Sequence, residues 1–436
     1  MRIQFSKAIL AVAISSTLGL GAAWGQAQQQ KQPNWKDRAE YDLFTAIEAE
    51  KDPNKKIELL NQWKEKYPTS DFKISRLEKL VTTYAAAANR QKALETAQEI
   101  LTEDPKNTTA VYYINLLIVG EQPTPANLAL GEKSAQTLLG SLDEVFAMEK
   151  KPAATPESAW KQARLDLEAL GHRTLGWTHM QRKNYESAEK ELTQNLKIHP
   201  NDAEASYWLG TVILAQKKPE RQSDALFQFA RAAAYDGPGA IEANARKQIL
   251  DYITKNYTAY HGEDPEGLKN LLNLAKANAF PPEGFVILSE AEVLAQKEKE
   301  LEAADPSLAL WVRLKSALTS EEGAQYFETS MKNALVPPED QPAFTGHVIS
   351  QDGPRAAKTV VLGISNPHTP EVTLKFETPL PGAPEPGTKI QFRGVASEFT
   401  KEPFMVTFEA EKKNIIGWPE PAPPKKATRS TTKKKG

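Results

Sequence analysis

Leu175-Gly176-Trp177-Thr178 and, further along, Leu209-Gly210-Thr211-Val212 open two segments in one register, the leucine-glycine pairs standing 34 residues apart (209 − 175). Tyr185, Ala188, Leu192 and Pro200 follow the first pair; Ala225, Phe229 and Ala232 follow the second. Small residues at fixed positions let two helices approach closely, and a proline stops the second of them. Ala225 lies 37 residues after Ala188 (225 − 188), so the turn around Lys217-Lys218-Pro219 is longer than its counterpart by the difference. A period of this size marks a supersecondary unit that buries its apolar face only by stacking on its neighbours.

Two earlier segments follow the pattern more loosely. Leu80, Tyr84, Ala93, Ala97 and Pro105 match it, and Ile114 lies 34 residues beyond Leu80 (114 − 80). The partner helix after Ile114 reads Ala129, Lys133 and Gln136, displaced by Gln122-Pro123-Thr124-Pro125. Leu43, Ile47, Leu60, Trp63 and Pro68 begin the series, with Phe44 and Val81 where the later units carry glycine.

On these residues the chain resembles the tetratricopeptide-repeat family, most specifically over residues 165–236. The resemblance implies a mainly α protein, with a solenoid over residues 37–239 whose first helices line a concave groove for a peptide or protein partner. It puts Arg173, Trp177 and Gln181, spaced four apart, on one helix face, with Tyr207 and Thr211 beside them on the next unit. An exposed tryptophan and arginine there are the kind of anchors that dominate binding energy. The competing reading of Trp177 is packing against the neighbouring helix.

The 436 residues exceed one ordinary domain and can bury a large core. With 25% charged and 40% hydrophobic residues, the composition is that of an ordinary globular protein, and a net charge of −2 argues against a nucleic-acid-binding body. Arg2 and Lys7 precede an apolar run from Ala8 to Leu20, and Gly21-Ala22-Ala23-Trp24-Gly25 then leads to Gln26. That order predicts a signal peptide over residues 1–25, cleaved between Gly25 and Gln26, and an exported periplasmic or extracellular protein. The run is shorter than the roughly 20 apolar residues of a membrane span, so no integral membrane segment is expected. Residues 26–36 read as a flexible glutamine-rich leader. The chain has no cysteine, which excludes disulfides, thiolate metal sites and a thiol nucleophile.

Residues 240–336 read as a helical cap without the repeat signature. Ile241, Ala245, Ile249, Tyr252 and Ile253 form one stripe, Asp264-Pro265-Glu266 opens a further helix, and Leu308, Leu310, Trp311 and Leu314 mark another. After Pro337-Pro338 the period changes to two. Five runs (residues 344–350, 359–365, 372–377, 388–393 and 404–409) alternate between turn residues, predicting a five-stranded β-module over residues 338–418. Gly387-Thr388-Lys389-Ile390-Gln391-Phe392-Arg393-Gly394 resembles the fourth strand of oligonucleotide/oligosaccharide-binding (OB) barrels, where one glycine admits a turn and another a sharp bend. A plain sheet packed on helices is the alternative. Residues 419–436 turn basic, with Lys425, Lys426, Arg429, Lys433, Lys434 and Lys435 against Glu420, and predict a disordered tail.

No catalytic constellation stands out. His172 and His179 share a helix face seven apart but lack a nearby carboxylate partner in sequence, so metal binding is not expected. Tyr260-His261-Gly262-Glu263-Asp264 reads as a turn and an N-cap rather than a reactive site. Phe404, Val406 and Phe408 share a strand face and read as barrel core instead of a base-stacking platform. The expectation is a non-enzymatic, cofactor-free interaction scaffold. The alternative places binding of an envelope glycan or anionic polymer on the β-module, with the repeats as spacer.

Overall fold

The computed structural model describes residues 34–382 and 384–420; the expected signal peptide, its cleavage point at Gly25 and Gln26, most of the leader and the basic stretch after Glu420 lie outside the described residues. The contacts divide the chain into two units, one ending at Ser289 and one starting at Glu290.

The first unit is a stack of antiparallel helix pairs. α1 (Arg38–Ala49) pairs with α2 (Pro53–Lys66), α3 (Lys73–Ala86) with α4 (Arg90–Glu103), and α5 (Thr108–Ile118) with α6 (Pro125–Val145). α7 (Glu157–Gln181) pairs with α8 (Tyr185–Ile198), and α9 (Ala203–Ala215) with α10 (Gln222–Ala234). Each helix packs on the next, and the first helices α3, α5, α7 and α9 also touch in succession, forming one continuous face. The starts are written locally. Asp52, Asn89, Asn107, Thr124 and Asp202 each accept a backbone N–H of the following turn, and Pro53 and Pro125 occupy first-turn positions that need no donor.

The repeat is visible in backbone geometry as well as in spacing. Ala88, Lys183 and Lys217 all adopt left-handed φ, of 56°, 64° and 57°, and each lies eight residues after its repeat leucine (88 − 80, 183 − 175, 217 − 209). Here the chain reverses from first to second helix without glycine. The repeat glycines mark close helix approaches: a Cβ on Gly176 would meet Leu192 Cδ2 at 2.7 Å, and one on Gly210 would meet the Ala225 carbonyl at 3.1 Å. Leu77, Leu80, Ile114, Leu192, Leu209 and Phe229 fill the shared core between pairs.

α6 and α7, at 21 and 25 residues, are the longest helices of the stack and overhang it. Their extension has its own apolar cluster of Val111, Leu138, Leu142, Phe146, Trp160 and Leu167, and the Trp160 indole N–H donates to the Phe146 carbonyl at 3.0 Å. α11 (Ala243–His261) and α12 (Pro265–Ala277) both cover α10, as a cap should. Asp264 caps α12 through the Gly267 N–H at 2.9 Å, so residues 262–264 are the turn and cap that composition indicated, while Tyr260 and His261 end α11.

The expected cap over residues 240–336 divides instead between the units. α13 (Glu290–Ala304) and α14 (Pro306–Thr319) belong with the β-module, because Trp311, Leu314 and Leu318 are apolar on the side that meets Phe344 and complete its core. α15 (Gly323–Tyr326) runs into a π-helical turn, Phe327–Met331. Eight strands follow rather than five: β1 (Leu335–Val336), β2 (Phe344–Gln351), β3 (Ala356–Gly363), β4 (Val372–Pro381), β5 (Lys389–Phe392), β6 (Gly394–Thr400), β7 (Met405–Glu409) and β8 (Ile415–Ile416).

The sheet order is β1-β6-β7-β4-β3-β2-β5-β8, with β4 and β7 parallel and the other pairs antiparallel. β5 and β6 therefore sit near opposite flanks, yet Arg393 alone separates them in the chain. Consecutive Cα atoms lie about 3.8 Å apart, so the flanks must come together and the sheet must curl into a half-barrel. Gly394 makes the bend: a Cβ there would stand 2.7 Å from Phe408 Cβ. β6, which begins there, is with β1 and β8 one of three strands that alternation did not reveal.

Candidate functional site

The residues expected to form a partner groove lie on or beside the first-helix face, but most are engaged within the protein. Trp177 is 5% exposed and packed in the core, which corrects its expected role as an exposed anchor. The reason is position: α7 is flanked by α5 on one side and α9 on the other, and residues 169–180 of it are all buried or half-buried. Arg173 donates to Asp202 at 3.1 Å and to Glu204, and its guanidinium lies 4.7 Å from the Trp208 ring centre. Burial works against that charge, but the two carboxylates outweigh it and hold Arg173 above its ordinary pKa. Burial likewise pushes the Glu204 carboxyl upward, opposed chiefly by Arg173. Tyr207 is half-buried, edge-on to Phe229 at 5.6 Å, and Thr211 donates to the Tyr207 carbonyl at 2.8 Å. Gln181, at the end of α7, is exposed.

Further along the same face, α3, the α4–α5 turn, α5 and the overhanging α6–α7 hairpin enclose a recess of about 570 Å³. Pockets of this volume hold small ligands or peptide side chains. Its apolar part is Val111, Leu138, Leu142, Val145 and Leu167, partly shared with the cluster that supports the overhang. Tyr112 and Tyr113, edge-to-face at 5.1 Å, form one wall, and burial raises both phenols above the ordinary value. Hydroxyls of Thr82, Thr109, Thr137 and Ser141 also line it.

At the rim, one side chain organises the charges. Asn107 caps α5 with its carbonyl oxygen on the Ala110 N–H at 3.0 Å. Its amide nitrogen donates to Glu78 at 2.9 Å and to Asp104 at 3.2 Å, so two carboxylates, one on α3 and one at the end of α4, converge on one neutral group. Sequence inspection missed this site because its walls come from four separate segments of the chain. The only local signal was the break in repeat spacing after Ile114, which accompanies the long α6.

Elsewhere, His172 bonds Glu191 at 2.6 Å, while the Nδ1 atom of His179 is buried without a hydrogen bond. The described residues contain no group of three metal-capable side chains, and no described helix is long and apolar enough to cross a membrane. In the half-barrel, Phe344, Phe392, Val406 and Phe408 are fully buried, and Phe404 is half-buried against Trp311. The aromatic face that alternation assigned to the core is indeed core.

No family model matches the chain, and no curated protein matches it. Among solved structures it is similar to the MamA RS-1 ArsTM double mutant at 12% identity, covering 50% of this chain and 95% of that one, with a TM-score of 0.27. It is also similar to a tetratricopeptide repeat protein from Parabacteroides merdae at 14% identity, covering 54% of this chain and 96% of that one, with a TM-score of 0.26. Likeness at that level carries no argument, and the fold rests on the geometry of this chain.

Proposed function

We propose that this protein is a non-enzymatic interaction scaffold that holds a peptide segment of a partner protein on its first-helix face. The observation that supports this reading is the recess of about 570 Å³ on that face, walled by successive helix pairs and roofed by the α6–α7 overhang. Aromatic walls, hydroxyls and an apolar floor together suit an extended peptide, whose backbone needs hydrogen bonds and whose side chains need desolvation. Arg173, Gln181, Tyr207 and Thr211 continue the face as flanking contacts, with Arg173 held in place by its carboxylates.

The experiment is chemical crosslinking of the protein in its own cells, followed by identification of attached proteins. Thr82 is exposed at the rim, so Thr82→Trp fills the recess without touching the core. Loss of the wild-type adducts in this variant supports the reading; an unchanged set of adducts refutes it.

The scaffold is proposed to act outside the cytoplasm. Two basic residues, Arg2 and Lys7, the apolar run Ala8 to Leu20 and the small residues before Gln26 are the grounds for this. N-terminal sequencing of the envelope fraction is expected to begin at about Gln26. An intact chain starting at Met1 in the cytoplasm would remove this part of the reading.

A further inference from the structure

The charges at the rim of the recess select among peptides. Glu78 and Asp104 share the Asn107 amide, and neither forms an ion pair with a lysine or arginine among the described residues. The amide spends one hydrogen on each carboxylate; the second Asp104 oxygen also accepts from the Lys106 backbone N–H at 3.3 Å, while the second Glu78 oxygen is left open. Lys106, exposed on the same turn, is the one cation lining the recess, so the rim carries two negative charges against one positive. Val111, Leu138, Leu142 and Tyr112 line the recess as well.

A recess that combines apolar surface with two carboxylates at its rim is the complement of one side-chain type. Arginine and lysine carry an apolar stem of three or four methylenes and a cationic head, and they bury the stem while the head seeks polar partners. An aromatic ring beside the path attracts the same cation. We infer that the recess receives a basic side chain of the bound peptide, its stem against Val111, Leu138 and Leu142 and its head on Glu78 and Asp104. Arginine is the better fit, because its planar fork can address both carboxylates, whereas lysine offers a point charge. This rests on the peptide-scaffold reading and narrows it to partners presenting a basic residue in an extended segment.

The test pans phage-displayed random heptapeptides on the immobilised full chain, then measures labelled copies of the enriched sequences by fluorescence anisotropy. The enriched peptides are expected to share a basic residue. Its replacement by norleucine, which keeps the stem and removes the charge, weakens binding roughly tenfold, about the worth of one charge-assisted hydrogen bond. The double variant Glu78→Gln with Asp104→Asn retains acceptors for Asn107, keeps the wild-type melting temperature and loses a similar factor. In that variant the norleucine peptide binds as well as the basic one. Peptides that bind, are blocked by Thr82→Arg, and yet tolerate norleucine overturn the basic-residue inference while leaving the scaffold reading intact. Peptides indifferent to all three substitutions place binding elsewhere and also overturn it. Enrichment of no peptide at all overturns both.

Discussion

Arg173 lies over Trp208, its guanidinium carbon 4.7 Å from the ring centre, while its nitrogens donate to Asp202 and Glu204 on the N-terminal turn of the neighbouring first helix. One side chain thus joins α7 to α9 by charge, hydrogen bond and stacking at once. The three charged side chains are only 14–20% exposed, so removing one partner leaves the others poorly compensated.

Arg173→Ala is therefore expected to lower stability by about 3 kcal/mol, the lower end for breaking a buried pair. Denaturant unfolding monitored by tryptophan fluorescence checks this. Arg173→Lys keeps the charge but loses the fork, and falls between the two. A change within about 0.5 kcal/mol for Arg173→Ala would place the residue among ordinary surface arginines.

Two glycines make opposite predictions. At Gly176 an added methyl meets Leu192 Cδ2 and Cγ at 2.7 Å and the Leu192 backbone nitrogen at 3.3 Å, so Gly176→Ala overpacks the α7–α8 crossing and costs about 1–3 kcal/mol. At Gly140, exposed in the interior of α6, nothing lies within 4 Å of the added carbon. There alanine's better helix propensity is expected to raise stability by up to about 1 kcal/mol. Thermal melts of both variants decide. The same sign for both would contradict the close-approach account of the repeat glycine.

The difference between these glycines shows what the sequence could disclose. Leu175, Gly176, Leu209 and Gly210 repeat because the α7–α8 and α9–α10 pairs meet the same packing demand, and equal demands leave equal residues. Asp264 announces a helix start through its own side chain, so that start was legible too. Trp177 was not, because a helical face records polarity but not which neighbours cover it. β6 was hidden because it continues β5 across one residue, and a bend at Gly394 leaves no break in the run of strand-forming residues. Trp311 reads as part of a helical cap until the strand core it completes is known. The recess depends on Glu78, Asn107 and Ser141 meeting in space, which no local pattern encodes.

In the second unit, acid should loosen the attachment of α14 to the half-barrel. Glu371 is 1% exposed, accepts from the Ile364 and Ser365 N–H groups, and pairs with Lys315 on α14. Burial pushes its carboxyl up, but Lys315 and the two N–H donors outweigh burial and leave it below the ordinary value of 4.5. A carboxyl depressed in the fold stabilises fully above its unfolded value and loses that contribution as pH falls through the folded one. Lys315→Met should therefore destabilise the protein at pH 7 by roughly 2–4 kcal/mol, with the gap to wild type narrowing well below pH 4.5. Melting curves across that range check it; a gap that widened in acid would contradict the assignment.

The most direct test of the scaffold reading places a photo-crosslinking benzoylphenylalanine at one position at a time in the protein expressed in its own cells. Lys106, exposed at the rim of the recess, is compared with Lys190, exposed on α8. Irradiation is expected to attach a discrete partner to the Lys106 variant and none to the Lys190 variant, with the adduct lost when Glu78→Gln and Asp104→Asn are added. Adducts of equal yield from both positions, or from Lys190 alone, would contradict the claim that the first-helix recess is where this protein holds its partner.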